Sequence, residues 1–487
     1  MSAVIYLNTA TGIQELQDIQ SLKITHGIND HGYLSLSAKI LHSAGTSYIL
    51  NCKEFETVEV AVGEEDGLKT IFMGIVKEAE IEEIKDAYLL HVDAVTGSYK
   101  TDIEFRSRSF QDKDMAYETL MKSIAAEYRD GDLKDTATKG EKLKKFTMQY
   151  RETDWAFLKR LASRFHASLV ASLINDTPKI TVGVPTGTGR GRIEKYSFYI
   201  AKDLERYMIS KGTGRKDINL LDVTTFYIEI YDNFDIGDKL AYEDIAGGMA
   251  YTNLYIRSKE IEMVDGVMRF RYGLCTKDGL SADEIFNEKI VGLSLKGEVL
   301  NRVRDTVEVK LEIDDDPPAN PWRFPYSTRY TAEGYSGEYV MPEKGDTVFI
   351  YFPNRLEEEG FGLNSIRVKN TGTDKIGAPE IKYFRTKDGK EIKMAPGELV
   401  ITCSNWKDEK TGEENIIYIQ LNDKSGITIQ STKPININSD GDINFTADKK
   451  LLFAAEDEIK LKCKSSMIKM DSTIEVVSAL VKVNGES

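Results

Sequence analysis

The chain has 487 residues and a formal net charge of −15; 41% of its residues are hydrophobic and 29% are charged. This length leaves room for three or more domains with buried cores, and the composition excludes a largely disordered protein. The negative charge argues against nucleic-acid binding, which needs a basic surface to neutralise phosphates.

No run approaches the roughly 18 apolar residues of a membrane helix, and the N-terminus lacks the basic start and apolar core of a signal peptide. We therefore expect synthesis in the cytoplasm without a signal peptide. The cysteines form no CxxC pair, which fits neither a disulfide framework nor a zinc site, and no cofactor is predicted. They are Cys52, Cys275, Cys403 and Cys463.

The first part of the chain has the alternation of apolar and polar residues that is typical of antiparallel sheet. It runs from Ile5 to about Asp93 and is clearest over Tyr33–Ser37 and Val58–Val62. Strand patterns return over residues 167–285.

Two helices are predicted between these regions. The first covers residues 114–128, where Asp114 can serve as the N-cap. The second begins at Thr153 or Asp154 and carries apolar residues at three- and four-residue steps, which indicates an apolar face packed on sheet. These residues are Trp155, Leu158, Leu161, Ala162 and Phe165. The N-terminal part is therefore predicted to be α+β within a mainly β protein.

Residues 292–369 have the pattern of one compact barrel. Two strand signals, Leu293–Val303 and Thr306–Ile313, precede a long loop, and a third follows at Thr347–Phe352. Five-stranded barrels combine few strands with long loops in this way.

The C-terminal part repeats every eight residues. A large apolar residue opens each octad, and a second apolar residue stands two positions later on the same face of a strand. The pairs are Ile427 and Ile429, Ile435 and Ile437, Ile443 and Phe445, Leu451 and Phe453, and Ile459 and Leu461, followed by Met467.

A repeat of eight residues cannot bury its own apolar face. That face must be covered either by other repeats of the same chain, stacked as the rungs of a solenoid, or by other chains. A single-chain solenoid would have only about two triangular rungs between residues 425 and 472, fewer than the roughly three that stability needs. Three chains that each supply one side would close every layer. We therefore predict a triple-stranded β-prism formed by a homotrimer, with the octad residues as its core.

Three groups of residues invite a chemical interpretation. His26, Asp30 and His31 have the residue types of a metal site, but a turn between strands is favoured. The carboxylates of residues 314–316 suit calcium, but a solvated loop before two prolines is favoured. Glu152 and Asp154 resemble a glycosidase pair, but at a helix start a capping role is favoured. We predict no catalytic residue and no metal site.

Two stretches then resemble one known family. Residues 150–162, YRETDWAFLKRLA, resemble the helix signature of VgrG-like hub proteins, and residues 341–354, MPEKGDTVFIYFPN, resemble late strands of the OB-fold that follows the hub. The matching positions are Glu152, Thr153, Asp154, Trp155, Phe157, Leu158, Leu161, Pro342, Gly345 and Asp346.

The resemblance implies a hub of two tail-tube-like β-barrels with helical inserts over residues 1–285. It further implies an OB-fold over residues 286–372 and the trimeric prism over residues 373–487. It leaves no room for the hydrolase domain that some relatives carry between OB-fold and prism.

The implied function is that of the central hub-spike of a contractile injection machine: a phage tail, an R-type bacteriocin, an extracellular injection particle or a type VI secretion system. The expected partners are the inner tail-tube protein, baseplate proteins and, transiently, the target envelope. A prism ending on Val481 and Val483 would also suit a PAAR-like tip protein. The alternatives are a tail-associated cell-wall or polysaccharide hydrolase and a trimeric receptor-binding fibre.

Overall fold

The computed structural model describes residues 2–9, 12–16, 18–40, 42–64, 67–84, 87–185, 187–193, 197–244, 249–264, 266–331, 336–367, 375, 377–407, 410–470 and 479–482. Two compact units are present, residues 1–371 and residues 372–487. Strands greatly outnumber helices, which confirms the predicted mainly β fold. No helix among these residues is long and apolar enough to span a membrane.

The strands of the first unit are β1 (Ser2–Thr9), β2 (Gly12–Leu16), β3 (Ile19–Gly27), β4 (Tyr33–Ile40), β5 (Thr57–Glu64), β6 (Gly67–Ile84), β7 (Ala87–Thr96), β8 (Phe105–Phe110), β9 (Asp132–Asp135), β10 (Thr147–Thr153), β11 (Leu169–Ala171), β12 (Lys179–Val182), β13 (Gly189–Ile193), β14 (Ser197–Lys202), β15 (Thr224–Ile230), β16 (Lys239–Asp244), β17 (Met249–Val264), β18 (Val267–Cys275), β19 (Ser294–Val303), β20 (Thr306–Leu311), β21 (Arg323–Pro325), β22 (Thr347–Tyr351) and β23 (Phe361–Ile366). Its helices are α1 (His42–Asn51), α2 (Tyr117–Ala126), α3 (Asp154–Ser163) and α4 (Leu204–Gly212).

A 13-stranded sheet forms the scaffold of the first unit. Its main path runs β14-β15-β18-β17-β3-β4-β7-β6-β5-β1-β2, and β16 pairs with β17 and β13 beside it. The apolar residues of these strands alternate with polar ones, and their buried side chains form one large cluster. The two ends of the path, β14 and β2, are open edges among the described strands.

The helices were predicted with mixed success. Helix α1 was missed, because it lies in a region whose flanks alternate as strands; Tyr48 and Ile49 pack it onto the large cluster. Helix α2 begins at Tyr117 after Ala116, which makes no side-chain cap, so the predicted Asp114 cap is wrong. Helix α3 begins where predicted, after Thr153.

Two halves of the large sheet meet where β3 pairs with β17. His26 lies directly opposite Lys259 there, and both side chains are buried. Burial, together with the nearby charge of Lys259, lowers the pKa of His26 to about 4. Burial also lowers the pKa of Lys259 to about 8, while its ammonium donates to Asn233. The centre of the sheet thus holds one histidine that folding keeps neutral.

The predicted barrel is a five-stranded sheet in the order β21-β20-β19-β22-β23. Its core also contains two side chains from the preceding region, Phe146 and Met148, which are fully buried. The ring of Phe146 lies 5.0 Å from that of Phe324 and 5.9 Å from that of Phe352. The core of the barrel therefore includes side chains at the start of β10, the strand that leads into α3, although β10 itself pairs with β8.

The second unit begins with a meander of five antiparallel strands, β24 (Lys382–Arg385), β25 (Glu391–Ala395), β26 (Glu398–Lys407), β27 (Glu414–Asn422) and β28 (Gly426–Ser431). Residues 432–458 then form no strand within the chain, and β29 (Ile459–Cys463) pairs with β30 (Ser466–Met470) as a hairpin.

The predicted domain borders stay predictions. The border between OB-fold and prism falls at residues 372 and 373, which lie outside the described residues, as does the predicted terminal Val483.

Removing the ring of Phe146 should destabilise the barrel. Phe146→Ala leaves a cavity between Phe324 and Phe352, and we expect it to lower the free energy of unfolding by about 3–5 kcal/mol. Denaturant unfolding followed by tryptophan fluorescence measures the change, because Trp322 packs against this cluster. Lys344→Ala, in an exposed turn of the same barrel, should leave the unfolding midpoint unchanged. A Phe146 variant as stable as the parent would contradict the shared core.

The first unit should lose stability as the pH falls from about 6.5 towards 4. Because the pKa of His26 is about 4 in the folded chain and near 6.5 when unfolded, the unfolded chain alone binds the proton in this window. His26→Leu should flatten the pH dependence of the thermal midpoint. His91→Gln, at a half-exposed histidine, should keep the parent slope; an unchanged slope for His26→Leu would refute the assignment.

Candidate functional site

Strand β10 runs directly into α3, and the family-motif residues make this junction. A β-bulge lies between Tyr150 and Glu152, with Arg151 at a positive φ of 48°. Thr153 is the N-cap: its Oγ accepts a hydrogen bond from the backbone N of Ala156 at 3.2 Å. The bulge and the cap together turn the side chain of Glu152 inwards.

Arg160 is the centre of a buried ionic cluster, with 2% of its side chain exposed. Its Nε donates to Oε1 of Glu152 at 2.9 Å, and its second guanidinium nitrogen donates to Oε2 at 2.8 Å. The remaining nitrogen donates to Glu357, which also accepts from Arg164 at 2.9 Å. Two arginines thus balance two glutamates, and none of the four side chains is more than 10% exposed.

This cluster joins two parts of the first unit. Arg160 and Arg164 lie on α3 and directly after it, whereas Glu357 belongs to the loop between β22 and β23 of the barrel. Glu357 also accepts from the backbone N of Met148 at 3.2 Å. The helix, the incoming strand and the barrel are therefore held by the same carboxylate.

Asp154 is fully buried and is held by three donors. Arg108 and Gln149 donate to its Oδ1 at 2.8 and 2.9 Å, and the hydroxyl of Tyr128 donates to Oδ2 at 2.7 Å. Burial and the neighbouring Asp154 raise the pKa of Tyr128. Because both Glu152 and Asp154 are fully engaged in structural bonds, they do not form the acid/base pair of a glycosidase.

The apolar motif residues lie in the core. Trp155, Phe157, Leu158 and Leu161 are buried. The ring of Trp155 lies 4.4 Å from the ring of His31.

His31 takes part in a polar chain that resembles a catalytic triad in composition only. Its Nδ1 lies 2.8 Å from the hydroxyl of Ser98, and its Nε2 lies 3.4 Å from Asp102. Ser98 is buried, and its hydroxyl also bonds to Thr96 at 3.0 Å. Because the hydroxyl of Ser98 is buried and bonded to both His31 and Thr96, it is not accessible to a substrate.

The barrel motif forms a tight turn. Gly345 has a φ of +91°, which favours glycine, and its backbone N donates to Val299 O at 2.8 Å. The carboxylate of Asp346 accepts from the backbone N of Glu343 at 2.8 Å. Pro342 is buried, and its carbonyl accepts from Arg302 at 3.0 Å. These residues fix the position at which β22 begins to pair with β19.

The groups considered for metal binding lie in structural positions. Residues 28–31 form the turn between β3 and β4. Asp314 is not solvated as predicted: it accepts from the backbone N and the hydroxyl of Ser109, each at 2.7 Å, and burial raises its pKa. Asp315 and Asp316 are exposed. Across the described ranges, no group of three His, Cys, Asp or Glu side chains is placed to hold a metal ion.

The meander of the second unit has one apolar face. Direct cross-strand neighbours form two rows on that face, which continue from β24 or β25 to β28. The first row is Phe384, Ile392, Ile401, Ile419 and Ile429, and the second is Met394, Leu399, Leu421 and Ile427. Polar residues fill most of the intervening rows. All members except the half-buried Leu399 are exposed in the single chain.

The predicted octad residues continue this exposed surface. Ile427 and Ile429 are shared with the two rows, and the remaining members are more than 40% exposed except for Ile459, which is half-buried. They are Ile435, Ile437, Ile443, Phe445, Leu451, Phe453, Leu461 and Met467.

The hairpin at the end departs from the octad spacing. Met467 lies opposite Lys462, whereas Leu461 lies opposite Ile468 and Ile459 lies opposite Met470. Residues directly opposite each other share a face, so Met467 points away from the face of Leu461. The reason is the turn at residues 464–465, which reverses the chain and shifts the apolar face by one residue.

Sequence reasoning missed two features. The rows of the meander upstream of Gly426 were visible as an alternation over Glu391–Ala395 and were not used. The pairing of Arg160 with Glu357 spans 197 residues, and the only local signal was a charged residue within an apolar helical pattern.

Comparison with known proteins agrees with this architecture. Residues 55–165 match the model of the phage tail baseplate hub (GPD) family. No curated protein sequence matches the chain. The Escherichia coli c3393 protein, described as a type VI secretion component structurally similar to T4 tail proteins gp27 and gp5, superposes with a TM-score of 0.51 at 12% identity. The match covers 72% of this chain and 97% of that protein.

A second structure covers more of the chain. A chain of the lidless PdpA-VgrG complex superposes with a TM-score of 0.55 at 10% identity, covering 88% of this chain and 98% of its own length. A chain of the half-lidded Francisella PdpA-VgrG complex gives a TM-score of 0.56 at 9% identity and covers 88% of both.

The chain has the fold of the VgrG-like hub-spike proteins. The resemblance predicted from residues 150–162 and 341–354 is thereby confirmed.

Breaking the ionic cluster should destabilise the first unit strongly. Arg160→Ala leaves Glu152 and Glu357 buried without their shared cation, and we expect a loss of about 3–5 kcal/mol in the free energy of unfolding. Lys145→Ala, which removes a half-exposed ion pair with Glu358 on the same loop, should cost less than about 1 kcal/mol. Chemical denaturation of both variants measures the difference; equal stabilities would contradict a central role for Arg160.

Proposed function

We propose that this protein is the central hub-spike of a contractile injection particle and that it works as a homotrimer. The observation that carries the proposal is the exposed apolar face of the second unit. It begins as two rows across the meander and runs on through the octads to Leu461.

A single chain cannot cover this face. Residues 432–458 make no strand pairs within the chain, so most of their backbone groups lack strand partners there, and their large apolar side chains stay exposed although the rings of Phe445 and Phe453 lie 6.2 Å apart. Each large apolar side chain gains about 1.5–3 kcal/mol when it is fully buried. Three copies related by a threefold axis supply both the cover and the hydrogen-bond partners.

The meander and the octads take different parts in the trimer. In the meander every strand pairs within its own chain, so each copy contributes a finished sheet with one apolar face. In the octads the strands come from different chains and alternate around the prism. The trimer core therefore begins near Phe384, and the predicted core residues from Ile427 onward form its continuation.

The first unit supplies the hub. The family match over residues 55–165 supports a place at the baseplate, and the fold shared with gp27/gp5-like and VgrG chains supports contact with an inner tube. We propose that the trimer caps and templates that tube and pierces the target envelope when the sheath contracts. Baseplate proteins and a PAAR-like tip protein are the further partners.

The proposed role is mechanical and not enzymatic. The carboxylates and the histidine chain of the first unit are engaged in structural bonds, and the ionic cluster ties hub and OB-fold into one rigid piece. The protein acts within an assembled particle.

A charged side chain in the octads should abolish the trimer. Phe445→Asp, or Ile443→Asp, would place three carboxylates in one buried layer, which is strongly unfavourable. Asn444→Asp is a matched control, because it adds the same charge one position away on the opposite face.

Multi-angle light scattering of the full-length chain gives the result directly. We expect a trimer for the parent and for Asn444→Asp, and monomers for Phe445→Asp. A chain truncated before Lys382 should also lose or weaken the trimer. A monomeric parent, or a trimeric Phe445→Asp variant, would refute the shared prism.

The tube-capping role needs its own test. Full-length trimer added to the monomeric tube protein should shorten the lag of tube assembly, and the monomeric Phe445→Asp variant should not. Identical lag times with and without the trimer would refute templating.

A further inference from the structure

An open cavity of about 600 Å³ lies between the five-stranded barrel and the segment that precedes α2. One wall consists of residues 320–323, at the start of β21, together with Glu308 on β20. The other wall consists of residues 111–114, which follow β8, together with Lys144. Ligand cavities in proteins span roughly 300–1,000 Å³, so this one has room for a small ligand.

Hydrogen bonds fix the two walls of this cavity to each other. Gln111 is buried; its Oε1 accepts from the backbone N of Trp322 at 3.0 Å, and its Nε2 donates to the backbone O of Val309 at 3.2 Å. A second link joins the same walls, since Nδ2 of Asn320 donates to Asp112 at 3.0 Å. The cavity is therefore formed before a ligand arrives, which lowers the ordering cost of binding.

The carboxylates of the cavity already have donors. Glu308 accepts from Nε of Arg323 at 2.9 Å and from Asn301 at 3.0 Å. Asp112 accepts from the backbone N of Asp114 at 2.9 Å, in addition to the link just described. Asp114 is bonded at 3.0 Å to a lysine outside the cavity. The acceptors of the two walls are thus largely occupied by the chain's own donors.

Three donor groups of the cavity, in contrast, lack acceptors. The indole nitrogen of Trp322 is buried and has no hydrogen-bond partner among the described residues. Arg323 bonds to the described part of the chain only through its Nε, and its side chain is 61% exposed. The exposed ammonium of Lys113 donates no hydrogen bond to a described residue. Because a buried N–H without an acceptor is rare and costly, the cavity favours a ligand that supplies acceptors.

Charge and shape narrow the class of ligand. Three basic and three acidic side chains line the cavity, so a multiply charged group such as phosphate is disfavoured. One carboxylate suits the terminal guanidinium nitrogens of Arg323, which can bind both of its oxygens. Pro321 and Trp322 add apolar ring surface. A sugar acid combines these properties, because its ring has C–H groups on the faces, hydroxyl oxygens at the rim and a single carboxylate.

We propose that this cavity binds a carboxylated sugar unit, such as a uronic acid within a polysaccharide. The carboxylate accepts from Arg323 and Lys113, a ring oxygen or hydroxyl accepts from the indole N–H of Trp322, and the apolar face of the sugar lies on Pro321. Lys113 and Lys144 are exposed at the cavity, so the neighbouring units of a saccharide chain extend into solvent. Each chain contains both walls, so the inference does not depend on the proposed trimer.

Tryptophan fluorescence of the full-length chain tests the binding site. Trp322 lines the cavity, and the chain has three tryptophans in all. Trigalacturonate and sialyllactose are the acidic probes, and the methyl ester of trigalacturonate and lactose are their neutral counterparts. Adenosine monophosphate is the phosphate probe. We expect a saturable fluorescence change with at least one acidic probe and binding about tenfold weaker for its neutral counterpart, since a charge-assisted hydrogen bond is lost.

Three variants and one control locate the site. Lys113→Met and Arg323→Met should each weaken binding of the acidic probe about tenfold, because each removes a charged donor. Trp322→Phe keeps an aromatic ring but removes the indole N–H, so it should abolish the fluorescence response and weaken binding measured by calorimetry. Lys134→Met, which removes an exposed positive charge outside the cavity, should bind as the parent does. Thermal midpoints show that each variant is folded.

Each outcome decides for or against the proposal. Preference for an acidic probe that is reduced in Lys113→Met and Arg323→Met, and kept in Lys134→Met, supports it. Equal affinity for acidic and neutral probes, or tighter binding of adenosine monophosphate, overturns the sugar acid as ligand. Unchanged binding in Lys113→Met and Arg323→Met, or a fluorescence change that persists in Trp322→Phe, overturns the location. Failure of both acidic probes to bind the parent chain overturns the proposal as a whole.

Discussion

Apolar strand residues that one chain leaves in water are the constraint on which the rest of the C-terminal unit depends. The rows through Ile401 and Leu421 and the octads after them have an apolar face with nothing of their own chain above it. Transfer of such side chains from water is the main favourable term in folding and association. The meander and the eight-residue period both present that one face, and the proposed trimer is the arrangement that would cover it.

The N-terminal unit differs from the C-terminal one, because its apolar and charged side chains are covered by contacts within the same chain. Phe146 packs into the core of the five-stranded barrel, and Arg160 is paired with Glu152 from the strand before α3 and with Glu357 from the barrel. Such a cluster contributes little net stability compared with an apolar core, but it is costly to disrupt and it tolerates few alternative geometries.

Features that depend on short sequence separations were predictable. The start of α3 at Thr153 and the strands of the barrel are signalled by neighbours within a few positions, and the octads by simple repetition. Helix α1 was hidden, because tertiary packing of Tyr48 onto the sheet overrides a weak local signal. The pairing of Arg160 with Glu357 and the docking of Asp314 on Ser109 join residues about 200 positions apart, which no local pattern reveals.

The irregular meander ahead of the octads has a consequence for alignment. A strand with an exact eight-residue period can slide by one whole octad and bury nearly the same side chains, so the repeat alone leaves the phase of the three chains undetermined. The meander has no such period, and its strands are paired within each chain before association. In the proposed trimer, the meander would therefore set the phase from which the repeats of the three chains are counted.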